Sequence, residues 1–285
     1  MLRRLATSQL VRLSRTASAE SELILERLSG DDKGIAVISF NRPKAMNSFS
    51  KNMVKCMREA IEDVKFDQEL RAVVVRSTSA KAFCTGADLK ERAGMTPEEV
   101  GPFVATLRRM VRDFYDLPVP TIAAIDGFAL GGGLEFALSA DMRIASSSAK
   151  MGLTETKLAI IPGAGGTQTI SRIIGVAKAK ELIFTGRFVG SVEAERIGLV
   201  NRAVEQNDDS NAAYLAALDL AREIKPQGPV ALRMAKMAIN NGSEVDLSSG
   251  LAIEQMCYAQ VIPTQDRLEG LLAFKEKRKP VYKGH

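Results

Sequence analysis

The chain has 285 residues, 46% of them hydrophobic, which is enough for one large domain or two modest ones. Its mean hydropathy is −0.02 and no apolar run approaches the ~20 residues that a transmembrane helix needs, so we predict no membrane span. The net charge of +5 would suit a nucleic-acid or membrane-surface partner, but four of these charges are arginines in residues 1–19, which leaves +1 for the other residues.

Histidine and cysteine usage excludes several kinds of chemistry. The single histidine, His285, is the last residue, which argues against Ser-His-Asp and Cys-His catalysis and against histidine-rich metal sites. Cys56, Cys84 and Cys257 are far apart and have no metal-ligand spacing, so we expect no zinc site and no disulfide framework. General acid and base chemistry must then come from carboxylates, Lys, Tyr or Cys.

The first 19 residues differ from the rest of the chain. They combine arginine, serine, threonine and spaced leucines and contain no acidic residue. This composition is typical of a mitochondrial presequence, although a disordered basic tail or a surface helix would also fit it. We therefore expect residues 1–19 to be a presequence and the mature chain to work in the mitochondrial matrix.

The mature chain begins with alternating strand and helix patterns. Two β-branched runs, Glu22 to Leu28 and Gly34 to Phe40, are separated by SGDDKG and predict a β-hairpin. A helix capped by Ser50 is expected to end near Phe66. A strand is predicted over 72–77.

The same alternation continues before the pattern changes. Residues 82–89 are predicted as a turn, 97–116 as a helix and 121–125 as a buried strand. Such repetition indicates crossovers between buried parallel strands, hence an α/β fold. From about Ser191 helical patterns dominate, so the last third is expected to pack on, or to be exchanged between, α/β cores.

The stretch ALGGGLEFALSAD, residues 129–141, places three glycines before an apolar helix. Neither this stretch nor GAGGTQ, residues 163–168, fits GxGxxG, and no GK[ST] follows, which disfavours a nucleotide-phosphate site. Unpaired amides at a helix start can instead bind the negative charge that develops on a carbonyl oxygen. A tight turn in which glycine only permits close packing is the equally open alternative.

Two glutamates accompany these glycines. Glu135 could simply interact with the helix dipole, but its apolar neighbours indicate a buried carboxylate, whose raised pKa would suit a general acid or base. Glu155 follows a short apolar strand and alone would be an ordinary loop acid. Together the two could share one water molecule, although the sequence does not show that they meet.

Several motifs together resemble the enoyl-CoA hydratase/isomerase (crotonase) superfamily. They are NRPKAMN (41–47), AFCTGADLKE (82–91), the glycine-rich segment 122–145 and GAGGTQ, and the match runs in order to residue 285. The resemblance implies a crotonase-like spiral of ββα units over 20–215, with a C-terminal helical trimerisation segment over 216–285. It implies homotrimers, often paired into homohexamers, and no cofactor, because coenzyme A is part of the acyl-CoA substrate.

The resemblance also implies the site residues. The backbone N–H groups of Ala87 and Gly132 would hold the thioester oxygen, Glu135 would activate the water that adds at Cβ, and Glu155 would protonate Cα. The presence of both glutamates favours hydration over an isomerase or dehalogenase branch. No metal is implied. The residues implied to contact substrate or coenzyme A are Lys44, Ala45, Met46, Ala87, Asp88, Leu89, Lys90, Gly132 and Lys277.

Within the superfamily, the chain is most similar to the branch that hydrates 3-methylglutaconyl-CoA to 3-hydroxy-3-methylglutaryl-CoA in leucine degradation. A short-chain or broad-specificity enoyl-CoA hydratase of fatty-acid oxidation is the alternative. An RNA-binding protein with residual hydratase activity is a second one, because RNA binding in this branch is attributed to the helix aligned with residues 50–68. That helix carries Lys51, Lys55, Arg58 and Lys65 on one face, but its acidic residues make it neutral, so we expect any RNA binding to be weak.

Overall fold

The computed structural model describes residues 21–285, so the predicted presequence lies outside the described residues. Strands alternate with helices through the first two thirds of this part of the chain. The strands are β1 (Leu23–Arg27), β2 (Ile35–Phe40), β3 (Ala72–Ser77), β4 (Ala82–Cys84), β5 (Thr121–Ile125), β6 (Phe128–Leu130), β7 (Met142–Ser146), β8 (Lys150–Gly152), β9 (Val189–Gly190) and β10 (Arg202–Val204).

The helices complete an α/β architecture and become dominant toward the C-terminus. They are α1 (Lys51–Lys65), α2 (Leu89–Ala93), α3 (Pro97–Tyr115), α4 (Gly132–Leu138), α5 (Gly166–Ile174), α6 (Val176–Thr185), α7 (Ser191–Arg196), α8 (Ala212–Ile224), α9 (Pro229–Gly242), α10 (Leu247–Val261) and α11 (Gln265–Glu276). The Ser50 hydroxyl caps α1 by accepting from Met53 N at 2.9 Å, as predicted. Within residues 21–285 no helix is both long and apolar enough to cross a bilayer.

Two sheets organise these elements. The larger sheet has the order β1-β2-β3-β5-β7-β10, and all its pairs are parallel except the predicted β1–β2 hairpin. The smaller sheet has the order β4-β6-β8-β9 and is parallel except at β8–β9. The expected buried parallel strands are therefore confirmed.

The prediction of a turn over residues 82–89 was partly wrong. Residues 82–84 form strand β4, which pairs with β6, and only the following residues make the turn into α2. A strand of three buried residues is too short to show the two-residue alternation by which a strand is detected. Tertiary pairing with β6 decides its conformation.

A cluster of phenylalanine side chains fills the core beneath α4. Phe136, on this helix, contacts Phe40, Phe49 and Phe114 with ring centroids 4.7 to 6.1 Å apart, and Phe83 packs against Phe40 at 5.2 Å. All five rings are fully buried. Truncating one such ring typically costs about 3–5 kcal/mol, so the cluster holds α4 firmly in place.

Helix α8 belongs to the sheet-packed part of the chain. Its buried face, which includes Ala213, Ala217 and Leu218, packs on strands β3, β5 and β7 of the larger sheet. The boundary predicted between residues 215 and 216 falls inside this helix. The following helices α9 and α10 pack against each other, and Lys236 ties α9 to the core by donating to Asp141 Oδ2 at 2.7 Å.

Large apolar side chains are exposed on the last two helices of the single chain. This is an unusual surface for an isolated soluble chain, and such surfaces commonly mark interfaces. The exposed residues on these helices include Leu247, Leu251, Met256, Tyr258, Leu268, Leu271 and Phe274.

A glycine-to-alanine pair tests how tightly α4 is packed. A β-carbon on Gly133 would overlap the Cys84 carbonyl group, which belongs to backbone and cannot move aside. Gly133→Ala should therefore lower the free energy of unfolding by at least about 2 kcal/mol. At Gly94 an added β-carbon would meet Glu91 O at an ordinary 3.6 Å, so Gly94→Ala should be neutral or stabilising by up to about 1 kcal/mol.

Urea titrations followed by circular dichroism measure both changes, since the chain contains no tryptophan to serve as a fluorescence probe. Equal stabilities for the two variants would contradict the close packing of Gly133 against the Cys84 carbonyl group.

Candidate active site

A cavity of about 670 Å³ opens between α3, the turns that precede α2 and α4, and the loop that joins β8 to α5. Its wall is mostly apolar, with polar groups concentrated at the two turns and at two carboxylates. Its lining includes Ala87, Arg92, Arg108, Gly132, Glu135 and Glu155. This volume lies within the range of small-molecule sites.

Two glycine turns touch each other at one side of the cavity. Gly86 and Gly131 have φ angles of 86° and 52°, which strain other residues. A β-carbon on Gly86 would lie 2.9 Å from Gly132 N and 3.0 Å from Leu130 O. Because Gly86 has no side chain, its turn can contact the backbone of the Gly131 turn directly. This close contact explains why glycine is needed at position 86.

The contact of these turns leaves two backbone donors free. Neither the N–H of Ala87 nor that of Gly132 donates a hydrogen bond to any residue in 21–285. Both residues line the cavity, and a β-carbon on Gly132 would lie 3.8 Å from Ala87 N. Two adjacent unpaired N–H groups are suited to bind an oxygen atom that becomes negatively charged.

Interactions behind the first turn fix its position. Gly86 O accepts from Phe49 N at 2.7 Å, and Asp88 N donates to Phe49 O at 3.1 Å. The Asp88 carboxylate caps α2 by accepting from Lys90 N at 2.9 Å, and it pairs with Arg42 at 2.7 Å. Burial alone would raise the pKa of Asp88, but these hydrogen bonds hold it below its ordinary value.

Glu135 extends from the first turn of α4 and is 2% exposed, as its apolar neighbours predicted. Its Oε1 accepts from Ala164 N at 2.8 Å and from Gly166 N at 2.7 Å. Burial raises the pKa of Glu135, while these two N–H groups and the charge of Arg108 oppose the rise. Gly166 must be a glycine, since its β-carbon would lie 2.8 Å from Glu135 Cγ.

Glu155 begins a short 3₁₀ turn, Glu155–Leu158, on the other side of the glycine turn. Its Oε2 is buried and has no hydrogen-bond partner among the described residues, while its Oε1 would lie 3.1 Å from a β-carbon on Gly131. Burial and the nearby charge of Glu135 raise the pKa of Glu155 to about 7. The structure therefore brings the two predicted glutamates to one cavity, which the sequence could not show.

The other predicted contact residues are less uniformly placed. Ala87, Leu89 and Gly132 line the cavity. Met46 contacts the cavity wall, because its O accepts from Thr85 N at 3.2 Å, whereas Lys44 and Ala45 precede it and are not among the lining residues. Asp88 is occupied in capping and ion pairing, Lys90 is exposed, and Lys277 is exposed at the end of α11, outside the cavity wall; the coenzyme A contacts remain predictions.

Sequence reasoning missed the two arginines of the cavity, Arg92 and Arg108. One signal was available for Arg108: it is spaced one helical turn from Val104 and Val111 in the apolar stripe of α3, although Arg108 itself is exposed at the open cavity. A charge at such a position indicates a polar lining.

The cysteines do not contribute reactive groups at the cavity. Cys84 is fully buried, and burial raises the pKa of its thiol to about 12, so it packs as a small apolar residue. Within residues 21–285, no three His, Cys, Asp or Glu side chains form a group that could hold a metal ion.

Replacing Glu155 with glutamine should change how stability depends on pH. Because its folded-state pKa of about 7 lies above the ordinary 4.5, the folded wild-type chain loses stability as the pH rises through 7. Glu155→Gln removes this loss, so the difference in unfolding free energy between pH 5 and pH 8 should shrink by roughly 1–3 kcal/mol. Urea titrations at both pH values measure it.

Glu205→Gln is the matched control, because Glu205 is exposed and has no ion pair within the described part of the chain. An unchanged pH dependence in Glu155→Gln would mean that Glu155 is not buried beside a second charge.

Comparison with known proteins gives a consistent result. Residues 30–285 match the family model described as enoyl-CoA hydratase/isomerase. Methylglutaconyl-CoA hydratase, mitochondrial, from Homo sapiens is 59% identical over 265 residues, which are 93% of this chain and 78% of that protein. Enoyl-CoA hydratase domain-containing protein 2, mitochondrial, from Mus musculus is 54% identical over 271 residues, covering 95% of this chain and 92% of that protein.

A solved structure of an enoyl-CoA hydratase from Bacillus anthracis has the same fold. It superimposes with a TM-score of 0.88 at 46% identity, covering 93% of this chain and 100% of that one. The crotonase-like α/β fold expected from the motifs is thereby confirmed. This chain belongs to the enoyl-CoA hydratase/isomerase, or crotonase, family.

Proposed function

We propose that this protein is a hydro-lyase that adds water to a 2-enoyl-CoA and forms a 3-hydroxyacyl-CoA. The observation that carries this proposal is the combination, in one cavity, of two unpaired backbone N–H groups and two carboxylates. The N–H groups suit the enolate oxygen of a thioester. The carboxylates suit the two proton transfers that hydration requires.

The proposed reaction uses these groups in one sequence. The thioester oxygen accepts hydrogen bonds from the N–H groups of Ala87 and Gly132, which draws electrons from C3. Glu135 takes a proton from water as the water oxygen bonds to C3, and the electrons of the C2=C3 bond move into the enolate. Glu155 then gives its proton to C2, which restores the thioester.

The surroundings of the two carboxylates support this division of roles. Glu135 accepts two N–H groups and lies near Arg108, all of which favour its ionised form and thus a base. Glu155 has a buried oxygen without a partner and a negative neighbour, which favour its protonated form and thus an acid.

Removing either carboxylate tests the mechanism. Glu135→Gln and Glu155→Gln should each lower kcat on crotonyl-CoA by roughly 10²–10⁴-fold with little change in KM, because the lost proton transfer acts in the transition state. Steady-state kinetics measure both constants, and Glu205→Gln should match the wild type. Full kcat in either active-site variant would rule out the mechanism.

We propose 3-methylglutaconyl-CoA as the preferred substrate and 3-hydroxy-3-methylglutaryl-CoA as its product, a step of leucine degradation. The support is the name of the human relative, which is 59% identical. The mouse relative at 54% identity carries only the general hydratase name, which keeps a broad-specificity enzyme of fatty-acid oxidation as the second candidate. Comparing kcat/KM on 3-methylglutaconyl-CoA and crotonyl-CoA decides between them, and a preference for crotonyl-CoA would favour the second.

Two further properties follow from the same resemblance and from the surface of the chain. The exposed apolar side chains of α10 and α11 support a homotrimer or homohexamer assembled through the C-terminal helices. Sedimentation equilibrium should then give three or six times the mass of one chain. The mitochondrial names of the human and mouse relatives support a mitochondrial location, and within the mitochondrion we propose the matrix. Matrix-purified protein that keeps Met1 would contradict cleavage of a presequence.

RNA binding is at most a weak secondary activity in this proposal. On α1, Lys55 and Lys65 lie within 4.0 Å of carboxylates on the same helix, and Lys51 lies 3.8 Å from Glu99. These pairs neutralise the charges that a phosphate backbone would need. Nanomolar affinity for an RNA oligonucleotide at physiological salt would overturn this view.

A further inference from the structure

We propose that Arg108 binds the distal carboxylate of the acyl group and so selects dicarboxylic enoyl-CoA substrates. This inference rests on the proposed hydratase function and assigns a residue to its substrate preference. It arises from the placement and the unused hydrogen-bonding capacity of one arginine in the cavity.

Arg108 is held by one end of its guanidinium group. Its Nε donates to Gly163 O at 2.9 Å, and within residues 21–285 its two terminal nitrogens have neither a hydrogen bond nor an ion pair. Gly163 lies at the end of the loop that joins β8 to α5, directly before Ala164 and Gly166, whose N–H groups hold the Glu135 carboxylate. Arg108 is exposed at the open side of the cavity, and this single anchor leaves its two N–H₂ groups free, the arrangement that pairs well with a carboxylate.

A dicarboxylic substrate would need a cation in this cavity as the counter-ion of its distal carboxylate. Glu135 and Glu155 already place up to two negative charges there, and a dicarboxylic acyl group would add a third. A buried charge without a counter-ion is strongly disfavoured. Among the described lining residues, the cations are Arg92 and Arg108.

Position and anchoring favour Arg108 over Arg92. Arg92 follows the Ala87 turn closely in α2, and its side chain has no hydrogen bond or ion pair within residues 21–285. Its charge acts on Glu155 and opposes the rise in the pKa of that carboxyl. Ordering Arg92 around a ligand would cost more conformational entropy than using the anchored Arg108. The charge of Arg108 lowers the pKa of Glu135, which is the carboxylate proposed to direct water to C3. In 3-methylglutaconyl-CoA a single methylene group separates C3 from the distal carboxylate. A distal carboxylate would therefore lie on the same side of the cavity as Arg108.

The side chain also has space next to it. Arg108 borders a second cavity of about 400 Å³ behind the loop at Ala164 and Gly165. Arg108 thus has unfilled space on both sides, in the cavity that holds Glu135 and in this second one.

The test compares two substrates that differ mainly in the distal carboxylate. 3-Methylglutaconyl-CoA carries it, and 3-methylcrotonyl-CoA has the same branching at C3 without it. The measured quantity is the ratio of their kcat/KM values. In Arg108→Gln this ratio should fall by roughly 10–100-fold, as expected for a lost hydrogen-bonded charge pair.

Two variants calibrate this result. Arg109→Gln is the matched control, because Arg109 is the next residue of the same helix, is exposed and does not line the cavity; its ratio should stay within about two-fold of the wild type. Arg108→Lys keeps the charge but loses the Nε anchor, so its ratio should fall less than that of Arg108→Gln.

Several outcomes would overturn the inference. Equal losses on both substrates would show that Arg108 only positions the loop around Glu135. A fall in the ratio for Arg92→Gln with none for Arg108→Gln would assign the role to Arg92. A wild-type enzyme that hydrates both substrates without favouring the dicarboxylic one would refute the selection and leave the hydratase function intact.

Failure of the proposed function is distinguishable from these outcomes. A wild-type protein that hydrates neither substrate nor crotonyl-CoA contradicts the proposed activity. Calorimetric binding of 3-hydroxy-3-methylglutaryl-CoA against 3-hydroxyisovaleryl-CoA then tests Arg108 without turnover. Arg108→Gln should reduce the preference for the dicarboxylic ligand by the same factor, and an unchanged preference would overturn the inference.

Discussion

The arrangement of the site depends on how one buried negative charge, the carboxylate of Glu135, is stabilised. Burying a carboxylate is costly unless hydrogen bonds replace the lost water. Two N–H groups supply them, and they belong to residues 29 and 31 positions further along the chain. Helix α4, the 163–166 loop and the start of α5 must therefore keep one relative position. The same hydrogen bonds require glycine at position 166, because a side chain there would overlap Glu135.

Apolar packing also fixes the position of helix α4. Phe136 is the neighbour of Glu135 in the sequence, and its ring packs against three other buried phenylalanine rings. Before the helix begins, the turns at Gly86 and Gly131 are in such close contact that a side chain at Gly86 would overlap the neighbouring backbone. The free amides of the cavity are thus held by the core and by backbone contacts, so little reorganisation is needed when a ligand binds.

The two glutamates differ because their surroundings differ. Glu135 is surrounded by donors and lies near a cation, whereas Glu155 keeps an unpaired buried oxygen and a negative neighbour. At neutral pH the electrostatic repulsion between Glu135 and Glu155 lowers the stability of the fold. A neutral side chain at position 155 would avoid this repulsion. Such local cost is typical of functional sites, where activity and stability compete. Arg108 limits the cost by lowering the negative potential of the cavity.

Local patterns in the sequence determined the hairpin, helix α1, the buried parallel strands and the burial of Glu135, because periodicity and capping act over a few neighbouring residues. Strand β4 escaped detection because three residues are too few to show a period. Only the tertiary structure decided that Glu135 and Glu155 line one cavity and that Arg108 joins them. These contacts connect segments far apart in the chain, and their geometry depends on how the sheets, turns and helices pack rather than on any local pattern.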